Sequence, residues 1–421
     1  MNKIKSLTFD NITYYSLIIF ALTIPLSRVS ISFFLFWFLI LVIVKRDYKN
    51  SFLLLKENKI FIYFGFFLLF IMLNSLWSSD YERMLNNLGK YSYWIIVPMI
   101  VILMKEEWTY KILNAFLLSM FISEVISYGI YFGIFTIFKG TMESPSPFMN
   151  SINYSVFLAF TALVLLYRFL FENSSYKIKA IMLFFFIMTT TNLLLSIGRT
   201  GQLAFFVTLF IVFIIKYRIT LKSIVLSTIF VILISLVAYN TLDLFKKRVD
   251  SAIVDIEKVV LNNDFESSWG IRAAYWILTY DAFKEQPIFG HGLGDYREVA
   301  KRFILEENRY PYFSKYINDF MTTHRYHNQY LMFIVEGGLI GLFIFLIFIY
   351  KLYKLEVRDK ELKHISIIGI TVFIIAFFGD TLLYLKFPQS LFLFIVSLTI
   401  VGSKISENNQ INIKKDSNIE K

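Results

Sequence analysis

The chain contains no cysteine, which excludes a disulfide, a thiolate metal site and a cysteine nucleophile. Charge is scarce as well. Asp, Glu, Lys and Arg make up 17% of the 421 residues, whereas a soluble globular protein carries about a quarter, too few here to cover the surface of a fold in water. Histidine occurs four times and proline seven times. No Walker motif and no serine-hydrolase elbow is present, which removes the main sequence support for ATP-driven transport and for acyl transfer. What is abundant is apolar surface: 57% hydrophobic residues, 19% aromatic, 47 Phe, and a mean hydropathy of +0.61. The solvent of such a chain is largely lipid.

A helix needs about 20 apolar residues to cross the hydrocarbon core. Apolar runs bounded by charge or by turn residues predict twelve spans, at 12–26, 29–44, 60–77, 93–104, 110–135, 151–171, 178–197, 200–217, 221–239, 327–353, 364–383 and 387–401. The expected fold class is therefore an all-α integral membrane protein of about twelve transmembrane helices. Basic residues orient it, because cytoplasmic loops retain positive charge. With the N-terminus inside, the inner segments hold 24 Lys and Arg against 6 in the short outer loops, so both termini are expected in the cytoplasm. The net charge of +11 is then a topology signal and no sign of nucleic-acid binding. The first span follows Lys3 and Lys5 as a signal peptide would, but no small-residue cleavage site follows Pro25, so it reads as a retained anchor.

One loop is long. Residues 241–326 lie between the ninth and tenth spans on the outer side, and their apolar residues recur at helical spacing (Leu244, Val249, Ile253, Ile256, Val260; then Ala273, Trp276, Ile277, Tyr280). They predict two or more amphipathic helices lying on the membrane face. The expected organisation is 1–240 with nine spans, 241–326 as an outer helical subdomain, 327–403 with three spans, and 404–421 as a polar, disordered cytoplasmic tail. Within the loop, Arg309-Tyr310-Pro311-Tyr312-Phe313 is the densest aromatic cluster, and interface anchoring is the preferred reading over sugar stacking.

Ionisable side chains inside apolar spans are expensive, so Glu124, Arg199, Glu336 and Asp380 are functional candidates. Arg199, in Ser196-Ile197-Gly198-Arg199-Thr200-Gly201, sits between two apolar runs with no real loop. It faces either a water-filled cavity or bound anion, or else snorkels to the outer interface. For Glu124 a hydrogen bond to a neighbouring helix is preferred. Three of the four histidines, His291, His324 and His327, fall on the outer loop or its edge, and His364 is interfacial on the inner side. His327 opens the tenth span, where an imidazole suits either general-base chemistry or helix capping. Gly290-His291-Gly292-Leu293-Gly294 superficially resembles a phosphate loop, but no strand precedes it, and it reads as a tight turn.

The run His327-Asn328-Gln329-Tyr330-Leu331, followed by Glu336-Gly337-Gly338-Leu339, resembles the shared motif of the O-antigen ligase and O-antigen polymerase superfamily. Arg199-Thr200 at a span boundary resembles the first essential Arg of those ligases. Arg272, in Gly270-Ile271-Arg272-Ala273, resembles the second, and Pro287-Ile288-Phe289-Gly290-His291-Gly292 resembles the Pro-x-x-Gly-x-Gly segment after it. The motifs run from Leu193 to Leu346; elsewhere the likeness is one of topology. Departures are His324, three residues before His327 where ligases often carry His-x-His-Asn, and His291 where an apolar residue is usual. Lys90, Asp380 and Lys386 fall near positions where family members place polar residues in the cavity.

The resemblance implies a metal-independent, inverting glycosyltransferase without cofactor, in the bacterial inner membrane with its site facing the periplasm. Its donor would be a glycan on undecaprenyl diphosphate, and its acceptor a sugar hydroxyl of lipid A-core. His327 would be the base, and Arg199 and Arg272 would hold the diphosphate. Lys90, Asp380, Lys386 and His324 are further substrate-binding candidates, while Glu336, Gly290 and Gly292 are structural. Glu336 lies nine residues beyond His327, about 13.5 Å along a helix, too far to pair with it. The alternatives are a polymerase of the same superfamily, whose acceptor is a carrier-linked repeat unit, and a lipid-linked sugar transporter. Against the transporter, the chain shows no repeated halves.

Overall fold

The structure is a computed structural model that describes residues 8–137 and 140–403; the expected 404–421 tail lies outside the described residues. Eighteen α-helices follow one another among them. The first seven are α1 (Phe9–Thr23), α2 (Arg28–Lys45), α3 (Tyr48–Glu57), α4 (Ile60–Asn74), α5 (Tyr81–Tyr91), α6 (Ile96–Leu103) and α7 (Thr109–Tyr131). Next come α8 (Ser151–Phe171), α9 (Tyr176–Leu195), α10 (Arg199–Tyr217), α11 (Leu221–Thr241), α12 (Asp243–Asn262), α13 (Ser268–Glu285) and α14 (Tyr296–Lys301). The chain closes with α15 (Lys315–Thr323), α16 (Gln329–Tyr353), α17 (Lys360–Ala376) and α18 (Lys386–Val401). No strand is present among the described residues, only an isolated bridge between Thr141 and Ser144.

Each of the twelve apolar runs is helical, and eight of the helices are long and apolar enough to cross a membrane, which makes this a multi-pass membrane protein. The four expected spans that fall short are α1 at 15 residues, α6 at 8, α17 at 17 and α18 at 16. Polar residues start the helices where the backbone N–H groups lack partners. Asn150 caps α8 by accepting from Asn153 N at 2.9 Å, Asp359 caps α17 through Leu362 N at 2.7 Å, and Thr220 with Ser223 closes a capping box on α11.

Helix α8 is the hub, buried from Asn153 to Arg168, with α9, α10, α17 and α18 against it. In lipid there is no hydrophobic drive between helices, so close packing and polar contacts hold them. Phenylalanine supplies much of the packing: Phe67 lies 4.8 Å from Trp94 and 6.0 Å from Phe348, ring centre to ring centre, and Trp94 is 5.9 Å from Phe392. Small residues permit the tightest approach. Gly201 on α10 presses on Ser155 of α8, whose hydroxyl accepts from Gly201 N at 3.0 Å. Between α7 and α9 the buried Glu124 accepts from the Thr189 hydroxyl at 2.9 Å, the interhelical bond expected for it. By contrast α11 leaves Ile229, Ile232, Leu233 and Leu236 exposed, a face suited to lipid.

Residues 241–326 fold as α12 to α15 with a π-helical turn at Arg302–Glu306. The aromatic cluster differs from the interface anchor expected. Tyr310 and Phe313 are buried, Tyr310 donates to Asp281 at 2.8 Å, Phe313 packs on Phe265 at 5.1 Å, and Arg309 pairs with Glu285. Only Tyr312 of the three rings is exposed. The cluster forms the core of the loop because a short helical unit needs its large side chains inside to hold together.

Candidate active site

The connection between α9 and α10 is only Ser196-Ile197-Gly198, so Arg199 is the first residue of its helix. The last carbonyls of α9 are not left bare: Gln202 Nε2 donates to Leu193 O at 3.1 Å and to Ser196 O at 3.0 Å, and Arg248 of α12 donates to Leu195 O and Ser196 O. Arg199 points to the helices of 241–326, where Asp255 of α12 stands 3.5 Å from Nη1.

Arg272 comes from α13. Its Nη1 donates to Ser268 O at 2.7 Å and to Ser268 Oγ at 2.9 Å, one turn back, and its Nη2 to Gly379 O at 3.3 Å. Gly379 follows α17 and packs directly on Thr200, which leaves no room for a side chain there. The two arginines thus approach one point from different elements. Burial lowers the proton affinity of Arg272, Arg199 pushes the same way, and the carboxylate of Asp380 opposes both.

His327 is not the first residue of its span, as the sequence suggested. The helix α16 begins at Gln329, and Asn328 caps it, accepting from Tyr330 N at 2.9 Å and Leu331 N at 3.1 Å. His327 precedes the cap with φ = +46°, a left-handed backbone that is strained for a residue with a Cβ. Its ring lies between Phe320 at 5.8 Å and Tyr275 at 6.4 Å, and its Nδ1 is 3.3 Å from Asp380 Oδ1. That approach lacks the alignment of a hydrogen bond, since Nδ1 has no such partner. Two hydrogen bonds of Gln329 hold the pair in place: its backbone N donates to Phe377 O at 2.8 Å, and its side-chain Oε1 accepts from Leu383 N at 3.1 Å. Asp380 itself is fixed by Thr381 N at 2.7 Å.

Chemically, the arrangement is a carboxylate, an imidazole and two guanidinium groups gathered from four separate segments. With Nδ1 on the side of Asp380, 3.3 Å from its carboxylate, Nε2 is the nitrogen left to receive a proton. The guanidinium groups offer planar forks of donors suited to phosphate oxygens.

The glycine segment after Pro287 is not a phosphate loop. It runs beside a break in α16, where Gly338 has φ = +58°. His291 N donates to Val335 O at 2.8 Å, Gly292 N to Glu336 O at 3.0 Å, Leu339 N to Pro287 O at 2.9 Å and Ile340 N to Ile288 O at 3.2 Å. The segment supplies the backbone partners that the broken span has lost, which a span in lipid must find. A Cβ on Gly290 or Gly292 would collide with the Glu336 or Ser78 backbone. His291, unexplained by sequence, bonds Ala282 O through Nε2 at 3.0 Å, and burial lowers its pKa.

Glu336 sits at the same junction and does not meet His327. Its carboxylate accepts from Gly294 N at 2.9 Å, from Asn87 Nδ2 at 3.4 Å and from the Tyr384 hydroxyl. Three other candidates fall outside the four-residue group. His324 is exposed and stacks on Phe320 at 4.1 Å, so the Phe320 ring contacts both histidines. Lys386 donates to Ser32 Oγ at 3.1 Å. Lys90 donates to Asn87 Oδ1 at 3.0 Å. Sequence reasoning missed Asp255 and Arg248 beside Arg199, and the rings of Tyr275 and Phe320 that flank His327. Polar residues on a predicted amphipathic helix look like solvated surface until the helix is docked.

Residues 183–346 match the family described as O-Antigen ligase. An uncharacterised protein of Haemophilus influenzae is 27% identical over 327 residues, covering 75% of this chain and 78% of that one. The family match spans Arg199, Arg272 and His327 but not Asp380.

Proposed function

We propose that this chain, which carries an O-antigen ligase family segment at 183–346, is an O-antigen ligase with twelve spans, cytoplasmic termini and a periplasmic site. The observation that carries the reading is the convergence of Arg199, Arg272, His327 and Asp380. The donor is a glycan joined to undecaprenyl diphosphate, and the acceptor is a sugar hydroxyl of lipid A-core. A polyprenyl tail must stay in the bilayer while its diphosphate and glycan lie outside it, and a site at the span ends beneath an outer helical subdomain meets both demands.

In the proposed step the acceptor oxygen attacks the anomeric carbon from the face opposite the diphosphate. The bond from that carbon to the diphosphate oxygen breaks, its electron pair leaves with the diphosphate, and the configuration inverts. The acceptor proton passes to Nε2 of His327, a contribution of roughly 10²- to 10⁴-fold. Asp380 orients the ring and offsets the positive charge it gains. Arg199 and Arg272 stabilise the negative charge that grows on the leaving group, the role a divalent metal plays elsewhere. No metal is required by this scheme, and full activity in EDTA is expected.

A deletion strain tests the assignment of acceptor. Loss of a ligase leaves bare core while carrier-linked polymer accumulates. Core bearing a single repeat unit would instead identify a polymerase, and an unchanged lipopolysaccharide profile would contradict both.

A further inference from the structure

A second group of cations stands apart from Arg199 and Arg272. Arg325, two residues before His327, has its guanidinium carbon 5.6 Å from the centre of the Tyr384 ring, and Lys90 Nζ is also 5.6 Å from that ring. Arg297 follows Tyr296, whose carbonyl accepts from the Tyr326 hydroxyl at 3.0 Å. Tyr326 in turn is fully buried and stacked on Tyr275 at 4.6 Å. The residues preceding Arg297 and following Arg325 are therefore bonded to each other, which ties together the two segments that carry these guanidinium groups.

These charges make no close ion pair among the described residues, although the field of Glu336 reaches Lys90 and Arg325. Among the described residues no carboxylate lies within 4.0 Å of Lys90, Arg297 or Arg325. The Nε atoms of Arg297 and Arg325 are buried with no hydrogen-bond partner. Nearby acids are engaged elsewhere: Glu336 with Asn87, Gly294 and Tyr384, Asp295 with Ser78, Ser79 and the Asp80 backbone, and Glu298 with Lys301 and Arg83. The three cations are half-buried, and a cation drawn partly out of water ordinarily takes a partner. Lys90 experiences the fields of Arg325 and Arg297, with the Glu336 carboxylate opposing them, whereas Arg272 experiences those of Asp380 and Arg199. A cavity of about 510 Å³, whose wall carries Asp80, Glu82 and Glu298 beside Arg83, Arg297 and Lys301, opens at Arg297 and does not include Lys90 or Arg325; its size is within the usual range of ligand pockets of about 300–1,000 Å³. Its mixed polar wall suits a hydroxyl-rich sugar chain.

We propose that Lys90, Arg297 and Arg325 form a second anion site, which holds a phosphate or carboxylate substituent of the acceptor glycan while Arg199 and Arg272 hold the donor diphosphate. The acceptor assignment rests on the transferase reading above; the anion site itself does not. Arg325 and His327 belong to one short segment, so an acceptor held at Arg325 would lie next to the base that takes its proton.

The test uses the full chain in lipid nanodiscs with inorganic phosphate as the probe. In Arg199→Gln/Arg272→Gln, where the first cation pair is silenced, phosphate is expected still to raise the thermal midpoint. Adding Arg297→Gln/Arg325→Gln should remove that response, and adding Arg297→Lys/Arg325→Lys should retain it. A silent Arg199→Gln/Arg272→Gln protein, or a response unchanged by the further pair, overturns the site. Turnover then assigns the ligand's carrier. Arg297→Gln/Arg325→Gln is expected to raise the acceptor KM by roughly tenfold or more at an unchanged donor KM, and the reverse pattern overturns the acceptor assignment. Because phosphate binding needs no transfer reaction, failure of the anion site and failure of the transferase reading are told apart.

Discussion

Replacing Glu336 by Ala removes one buried carboxylate and strands three donors: Gly294 N, Asn87 Nδ2 and the Tyr384 hydroxyl. All three are buried, and the Tyr384 hydroxyl also accepts from Tyr91 at 3.3 Å, so the loss reaches one residue further. A buried donor without a partner costs about 1–3 kcal/mol, which puts Glu336→Ala at about 3–6 kcal/mol once some donors find each other or water. Unfolding entropy near 2.1 cal/mol/K per residue means that 1 kcal/mol shifts the midpoint of a chain this long by about 1 °C. The expected fall is therefore about 3–6 °C in thermal unfolding followed by tryptophan fluorescence in detergent. Glu336→Gln keeps an acceptor oxygen and should lose less than half of that. The reasoning gives Glu336 the task of tying α5, the 287–294 segment and the 382–384 turn to one span. A Glu336→Ala protein that melts within about 1 °C of the wild type, yet transfers no glycan, would refute it and move Glu336 into the chemistry.

Three further expectations follow from the same geometry. Asp380→Asn keeps the shape beside His327 Nδ1 but removes the charge that favours the protonated ring, so kcat should fall by tenfold or more with donor KM little changed. An equal fall in kcat from Thr381→Ala would assign the effect to the turn instead. The left-handed backbone of His327 suits glycine, so His327→Gly should be more stable than His327→Ala by about 1 kcal/mol although both lack the base; thermal melts of the two variants decide. Burial, with Arg325 and Arg297 alongside, pushes Lys90 down to about 8. The folded state therefore gives up this proton at lower pH than the unfolded chain does, and stability should rise as pH increases through about 8 toward the unfolded value. Thermal melts at pH 7 and pH 9 should show that rise in the wild type relative to Lys90→Gln, and parallel curves would contradict it.

The helices were legible because long apolar runs bounded by charge have few alternatives in a chain with so little polar surface. Their lengths were less so: α17 ends at Ala376, short of the expected Leu383, because Gly379-Asp380 and the 382–384 turn fold inward to meet α16, an arrangement set by partners more than 50 residues away. Arg199, Arg272 and His327 were readable from motif spacing. Asp380 stood out only as an ionisable residue in an apolar run and, through the resemblance, as a cavity candidate beside Lys90 and Lys386; its place beside His327 depends on Gly379 packing against Thr200. The break at Gly338 was hidden, since an apolar run containing two glycines still reads as one helix. The sequence of 287–294 carried its glycines but not the identity of the span they repair. Arg297 and Arg325 gave no local signal, because a cation in a polar loop is ordinarily solvated.

The central claim is that an imidazole activates the acceptor while two guanidinium groups hold the leaving diphosphate. Its most direct test is single-turnover transfer by purified His327→Ala, with undecaprenyl-diphosphate-linked glycan as donor and lipid A-core as acceptor. Donor is expected still to bind, with an affinity that Arg199→Ala and Arg272→Ala lose, and transfer to fall by at least roughly 10²-fold. Transfer by His327→Ala at the wild-type rate would contradict it.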